Sequence, residues 1–155
     1  CYTRVDHMAA NTIPACEQVE ELLGVKICKN LFLCNRQQTD FYLLLMEGEK
    51  PFKTKDLSKQ IGTSRLSFAS AEAMEKYLNI TPGSVSVLGL LFDKEKKVTL
   101  LIDKPVLEKP MFACHPCINT SSLAFKPKAL IEKILPAIDR TPQIVDLPLY
   151  DGQEG

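Results

Sequence analysis

The chain has 155 residues with 19 Lys plus Arg against 19 Asp plus Glu, so its formal net charge at pH 7 is zero. That balance excludes a polybasic arm and an acidic tail, while 45% hydrophobic and 25% charged residues match an ordinary folded domain. The length is close to the commonest for one core, and no apolar run approaches the roughly 20 residues of a membrane helix, since Ser86–Phe92 is stopped by Asp93 and Lys94. The expectation is a single domain over residues 1–155, with no membrane partner and a frayed tail from about residue 149.

Thr12-Ile13-Pro14 followed by Ala15, Val19, Leu22, Leu23 and Gly24 reads as a first helix, opened by proline and closed by glycine. Ile27–Leu33 and Phe41–Met46 are two strand-like runs across the polar Asn35–Asp40, the pattern of a hairpin. A second helix is expected from Thr54 to about Gly62 with Leu57 and Ile61 inward, and a third from Ser70 to Leu78. Thr81–Ser84 is a turn by composition, and Val85–Phe92 is expected to pair with Val98–Ile102 as another hairpin across Asp93–Lys96. Met111–His115 and Ile118–Phe125 read as extended around Pro116, Pro127 opens a helix to about Ile138, and Gln143–Leu147 suits a last strand. Strands arriving as hairpins with helices between them give an α+β fold, a mixed but mainly antiparallel sheet flanked by helices.

The six cysteines, Cys1, Cys16, Cys28, Cys34, Cys114 and Cys117, show no disulfide framework, which points to reduced thiols and a cytoplasmic protein. The first residue is Cys and no signal-peptide pattern follows it, so the native start is expected upstream. Cys114-His115-Pro116-Cys117 has the spacing of a zinc or redox pair, but zinc lacks a second ligand pair and a redox pair lacks a following helix; two cysteines flanking a turn is the plainer reading. No metal or cofactor is expected.

Lys29 is the most informative residue. Strand alternation puts it on the face of Ile27, Leu31 and Leu33, where its stem either snorkels to water or holds a fixed cation in a pocket for a phosphate or an oxyanion. His115 stands at a strand end before Pro116, followed by the polar Asn119, Thr120, Ser121 and Ser122, which either line a site or cap a turn. His7 is expected at the surface. Gly83-Ser84 either forms a turn needing positive φ or brings main-chain N–H groups to a ligand. Lys50, Lys53, Lys55 and Lys59 form one lysine cluster and Lys126, Lys128 and Lys133 another, each readable as a solvated face or as phosphate contacts; Arg65 adds a bidentate donor.

Cys28–Leu33, Gly62–Ser70, Thr81–Ser86 with Gly89-Leu90, and His115-Pro116 with Asn119-Thr120 together resemble the YbaK-like aminoacyl-tRNA deacylases, and among them the freestanding prolyl-tRNA editing proteins. The resemblance runs from about Val5 to Leu147. It implies a mixed sheet around an aminoacyl pocket, with Lys29 as the essential lysine, Gly83 and Ser84 as the catalytic glycine turn, and Asn30, Arg65, Ser67, His115, Asn119 and Thr120 as substrate-binding residues. The implied activity is trans-editing hydrolysis of the ester of mischarged tRNA(Pro), foremost Ala-tRNA(Pro). The implied partners are a tRNA acceptor end carrying a small amino acid and, as a further candidate, prolyl-tRNA synthetase, but not DNA. Cys117 and Ser121-Ser122 depart from related sequences, which leaves Cys and Ser open beside Ala as the amino acid removed. A noncatalytic module binding aminoacyl-tRNA or a synthetase is the competing class, and a thiol-redox protein is third. The neutral charge fits a small tRNA footprint.

Overall fold

The computed structural model describes residues 2–7, 18, 21, 24, 28–47, 50, 52–81, 85–109, 111–114 and 120–147. The helix expected after Pro14 lies outside these, apart from the helical Gln18 and Glu21, and so do the turn at Gly83-Ser84, the His115–Asn119 segment and the expected tail.

Strands β2 (Lys29–Asn35) and β3 (Phe41–Met46) form the expected antiparallel hairpin, with Phe32 opposite Leu43 and Lys29 opposite Met46. Asn35 closes its turn, its Oδ1 accepting from the backbone N–H of Thr39 and Asp40. Helix α1 (Thr54–Ile61) buries Leu57 and stops at Gly62, whose φ of 69° is the left-handed conformation glycine adopts freely. Strand β4 (Leu66–Phe68), which the sequence did not announce, adds antiparallel to the far end of β2. Helix α2 (Ala71–Leu78) opens on Ser70, whose hydroxyl accepts from the Ala73 N–H.

The expected hairpin of Val85–Phe92 with Val98–Ile102 does not form. Val87–Phe92 is instead a 3-10 helix capped by Ser86, packed on the end of α2. A Cβ on Gly89 would lie 2.5 Å from Ile80 Cδ1 and 3.2 Å from Leu78 Cβ, so a larger residue here would have to push the Ile80 side chain aside and crowd Leu78. Strand β5 (Val98–Asp103) then pairs parallel with β3, and β8 (Gln143–Val145) parallel with β5. A parallel neighbour needs a long crossover, here everything from α1 to the 3-10 turn.

A short helix α3 (Lys104–Glu108) leads to β6 (Phe112–Cys114) and β7 (Ser121–Phe125), which with β1 (Thr3–Asp6) make a three-stranded antiparallel sheet in the order β1-β7-β6. The larger sheet runs β4-β2-β3-β5-β8. The two sheets meet where the Cys28 N–H, one residue ahead of β2, donates to the Ala113 carbonyl at 3.2 Å. The last helix, α4, starts at Pro127–Ala129, widens into a π turn at Leu130–Ile134 and closes at Leu135–Ala137. This is the mixed, mainly antiparallel α+β fold.

Strand alternation divides the interior in two. Phe32, Phe41, Leu43, Leu45, Leu100 and Ile102 point to one side of the large sheet and pack with α2, the 3-10 turn, α4 and the small sheet. Leu33, Leu44, Met46 and Leu101 point to the other and pack with Leu57 of α1, Val145 and Leu147. Each fully buried leucine contributes about 1.5–3 kcal/mol. The second core is the smaller, and one buried ion pair lies on its side.

Candidate functional site

The register fixes where that charge gathers. Lys29 begins β2, Met46 ends β3, and because β5 runs parallel to β3, Asp103 at the end of β5 lies one step beyond the Leu45–Ile102 pair. All three side chains project to the face of the smaller core, as alternation from Leu33, Leu44 and Leu101 requires. They form a row at one end of the sheet, where β3 and β5 finish and β2 starts.

Lys29 lies on the apolar face that its alternation predicted, half-buried, with its Nζ donating to the Lys50 carbonyl at 2.8 Å. No carboxylate among the described residues pairs with it. Burial therefore acts unopposed and pulls its pKa below the ordinary lysine value. A half-buried ammonium, partly stripped of water and with no carboxylate partner among the described residues, is a site for an anion.

Lys50 itself is a correction. Expected in a lysine cluster on a solvated face, it is buried, and its Nζ lies 2.6 Å from Asp103 Oδ2, the two side chains being 1% and 0% exposed. Asp103 Oδ1 accepts the Leu147 N–H at 2.9 Å. Sequence reasoning missed this pair because its members are far apart in the chain and Lys50 is surrounded by lysines that do face water. The one available signal was Asp103 itself, an acid closing an apolar strand just before Lys104-Pro105.

Asn30 points to the opposite face. Its Nδ2 donates to the Cys28 carbonyl at 3.1 Å, while its Oδ1 is shielded from solvent and has no hydrogen-bond partner among the described residues. A buried acceptor left open is a place for a substrate or water donor. Burial pushes the thiol of Cys28 beside it up to about 11, which keeps it in the protonated, weakly nucleophilic form at neutral pH.

Arg65 and Ser67 are not brought to Lys29. Ser67 in β4 is opposite Cys34, its hydroxyl 3.8 Å from that Sγ and on the other face of the sheet, about 16 Å along β2 from Lys29 at ~3.3 Å per residue. Arg65, just before β4, is exposed. Thr120 is exposed at the entry to β7, where its carbonyl accepts the His7 N–H at 2.8 Å. Its neighbours Ser121 and Ser122 are buried and turned to the β1 side: Ser121 Oγ bonds Asp6 Oδ1 at 2.9 Å, and Ser122 Oγ is 2.8 Å from His7 Nε2. His7, expected at the surface, thus helps hold the small sheet. Gly83, Ser84, His115 and Asn119 lie outside the described residues.

Residues 7–133 match the family model of the aminoacyl-tRNA editing domain. The chain is 32% identical over 146 residues to the prolyl-tRNA editing protein ProX of Acetoanaerobium sticklandii, covering 94% of this chain and 88% of that one. It is 29% identical over 129 residues to the prolyl-tRNA synthetase associated domain-containing protein 1 of Danio rerio, covering 82% of this chain and 68% of that one. Among solved structures, one described as a candidate trans-editing enzyme for prolyl tRNA synthetase superposes with a TM-score of 0.73 over 96% of this chain and 87% of that one, at 18% identity. The chain belongs to the aminoacyl-tRNA editing domain family, and with it to the deacylases that act on aminoacyl-tRNA esters.

Proposed function

We propose that the protein edits in trans, hydrolysing the ester of mischarged tRNA(Pro), and that alanine is the amino acid it removes. The observation that carries the mechanism is Lys29, a half-buried ammonium with one carbonyl acceptor and no carboxylate partner among the described residues. An aminoacyl ester is already activated, so its hydrolysis needs placement of water and stabilisation of an oxyanion more than a strong nucleophile.

In this reading Lys29 anchors the terminal adenosine's phosphate or the ester region, and the backbone N–H groups of Gly83 and Ser84 polarise the carbonyl. Water adds to the carbonyl carbon, the neighbouring ribose hydroxyl of the substrate helping to take its proton. The tetrahedral intermediate collapses with cleavage of the acyl C–O bond, the ribose oxygen leaves with a proton, and the products are free amino acid and uncharged tRNA. His115, Asn119 and Thr120 shape the aminoacyl pocket, and the open Oδ1 of Asn30 accepts from a substrate N–H. Arg65 and Ser67, remote from Lys29 along β2, contact the nucleic acid further from the ester. Selectivity is steric: a pocket that fits alanine and refuses proline works as a size sieve. Prolyl-tRNA synthetase is the candidate second partner, as the source of the mischarged product.

The test is to incubate the protein with Ala-, Cys-, Ser- and Pro-charged tRNA(Pro) and follow loss of each ester. Release of alanine with Pro-tRNA spared is expected. Release of none of the four contradicts the enzymatic reading and leaves a binding module; release of Cys or Ser far faster than Ala overturns the choice of amino acid.

A further inference from the structure

Building on that reading, we propose that Lys50 and Asp103 are positioning residues for Lys29: their buried ion pair fixes the Lys50 carbonyl that aims the Lys29 ammonium. The chain of contacts is continuous. Lys29 Nζ donates to the Lys50 carbonyl at 2.8 Å, Lys50 Nζ meets Asp103 Oδ2 at 2.6 Å, and Asp103 Oδ1 takes the Leu147 N–H at 2.9 Å. Lys50 itself stands in a bend, and among the described residues its remaining backbone bond is a local one, from the Lys50 N–H to the Glu47 carbonyl at 3.2 Å. The side-chain tether therefore ties Lys50 to the end of β5.

A buried ion pair is a poor means of stabilisation, because apolar residues of the same volume usually do as well. It is a good means of fixing position, since a charge without its partner is costly wherever else it goes. Lys29 needs such a fixed acceptor. Its stem is flexible, and without the Lys50 carbonyl its half-buried ammonium has no partner among the described residues to hold one rotamer. The arrangement places a structural cation and a functional cation on successive links of one path, with Asp103 anchoring both.

The variants that test this are Asp103→Asn, which keeps an acceptor for Leu147 but removes the charge, and Lys50→Met with Asp103→Asn, which removes both charges. Single-turnover and steady-state deacylation of Ala-tRNA(Pro) are measured beside wild type and Lys29→Ala. The double variant is expected to fold, to lose at least tenfold in kcat and to keep KM within about twofold, the pattern of a misdirected group rather than a lost binding surface. Wild-type kcat in the folded double variant overturns the positioning role while leaving the editing reading intact, and an inactive wild type overturns both. A measurement on the unmodified protein decides the matter even if the variants fail to fold. A through-hydrogen-bond coupling between Lys29 15Nζ and the Lys50 13C carbonyl is expected, and its absence with the signals resolved overturns the proposal.

Discussion

Two ion pairs are buried among the described residues, and they do different things. Arg140 Nη2 meets Asp93 Oδ2 at 2.8 Å with side chains 7% and 2% exposed, much as Lys50 meets Asp103. Around Asp93 every bond is local to one corner: Oδ1 and Oδ2 accept the N–H groups of Lys97 and Val98, and Arg140 also donates to the carbonyls of Val98 and Asp93. That network closes on itself, pinning the turn between the 3-10 helix and β5 to the chain after α4. The Lys50–Asp103 pair does not close. Its path leads on to Lys29, a cation with no carboxylate partner among the described residues. A satisfied buried network holds structure, whereas one that ends on an unsatisfied charge points to a ligand.

Cutting each network should separate the two roles. The largest effect on stability is expected from Arg140→Ala, which leaves Asp93 charged and buried: a loss of about 3–5 kcal/mol in denaturant unfolding, with kcat unchanged in the fraction that stays folded. A fall in kcat without loss of stability would erase the contrast between the pairs. By comparison, replacing both members of the other pair, Lys50→Met with Asp103→Asn, is expected to shift stability by no more than ~1–2 kcal/mol, because no charge is orphaned.

A pH titration sharpens the comparison from the side of Lys29. Burial lowers its pKa in the folded state, so if the ammonium is the working form, deacylation corrected for spontaneous ester hydrolysis falls as pH rises, with a midpoint below the ordinary lysine value of 10.5. The same shift has a sign for stability. The unfolded chain binds more protons between the lowered value and 10.5, so the cost of burying this charge, present at neutral pH, is relieved as pH rises through that window. An alkaline limb at or above 10.5 would contradict a desolvated Lys29. The smallest effect belongs to neither pair: Ser70→Ala removes the cap of α2 and should cost about 1 kcal/mol in thermal or chemical unfolding without changing kcat.

What the sequence disclosed follows the range of the interactions involved. The β2–β3 hairpin, the span of α1 with its glycine stop, and the Ser70 cap of α2 are set by neighbours a few residues apart, and all were legible. So was the face of Lys29, because alternation needs nothing but the strand. Val87–Phe92 was misread because an apolar run of that length suits a strand or a tight helix equally. The deciding contacts, Gly89 against Leu78 and Ile80, belong to the packed molecule. Lys50 was hidden by company: a lysine among Lys53, Lys55 and Lys59 looks solvated, and only the parallel pairing of β3 and β5 brings Asp103 to it. The chemistry was therefore visible as a residue, and its support as nothing until the sheet was assembled.

The central claim is that Lys29 is the cation on which ester cleavage depends. Single-turnover hydrolysis of Ala-tRNA(Pro) at neutral pH by wild type and by Lys29→Ala tests it most directly. The account predicts a loss of about 10²–10³-fold in rate from one missing electrostatic contact, in a variant that still melts cooperatively. A folded Lys29→Ala protein that cleaves the ester at the wild-type rate would contradict it.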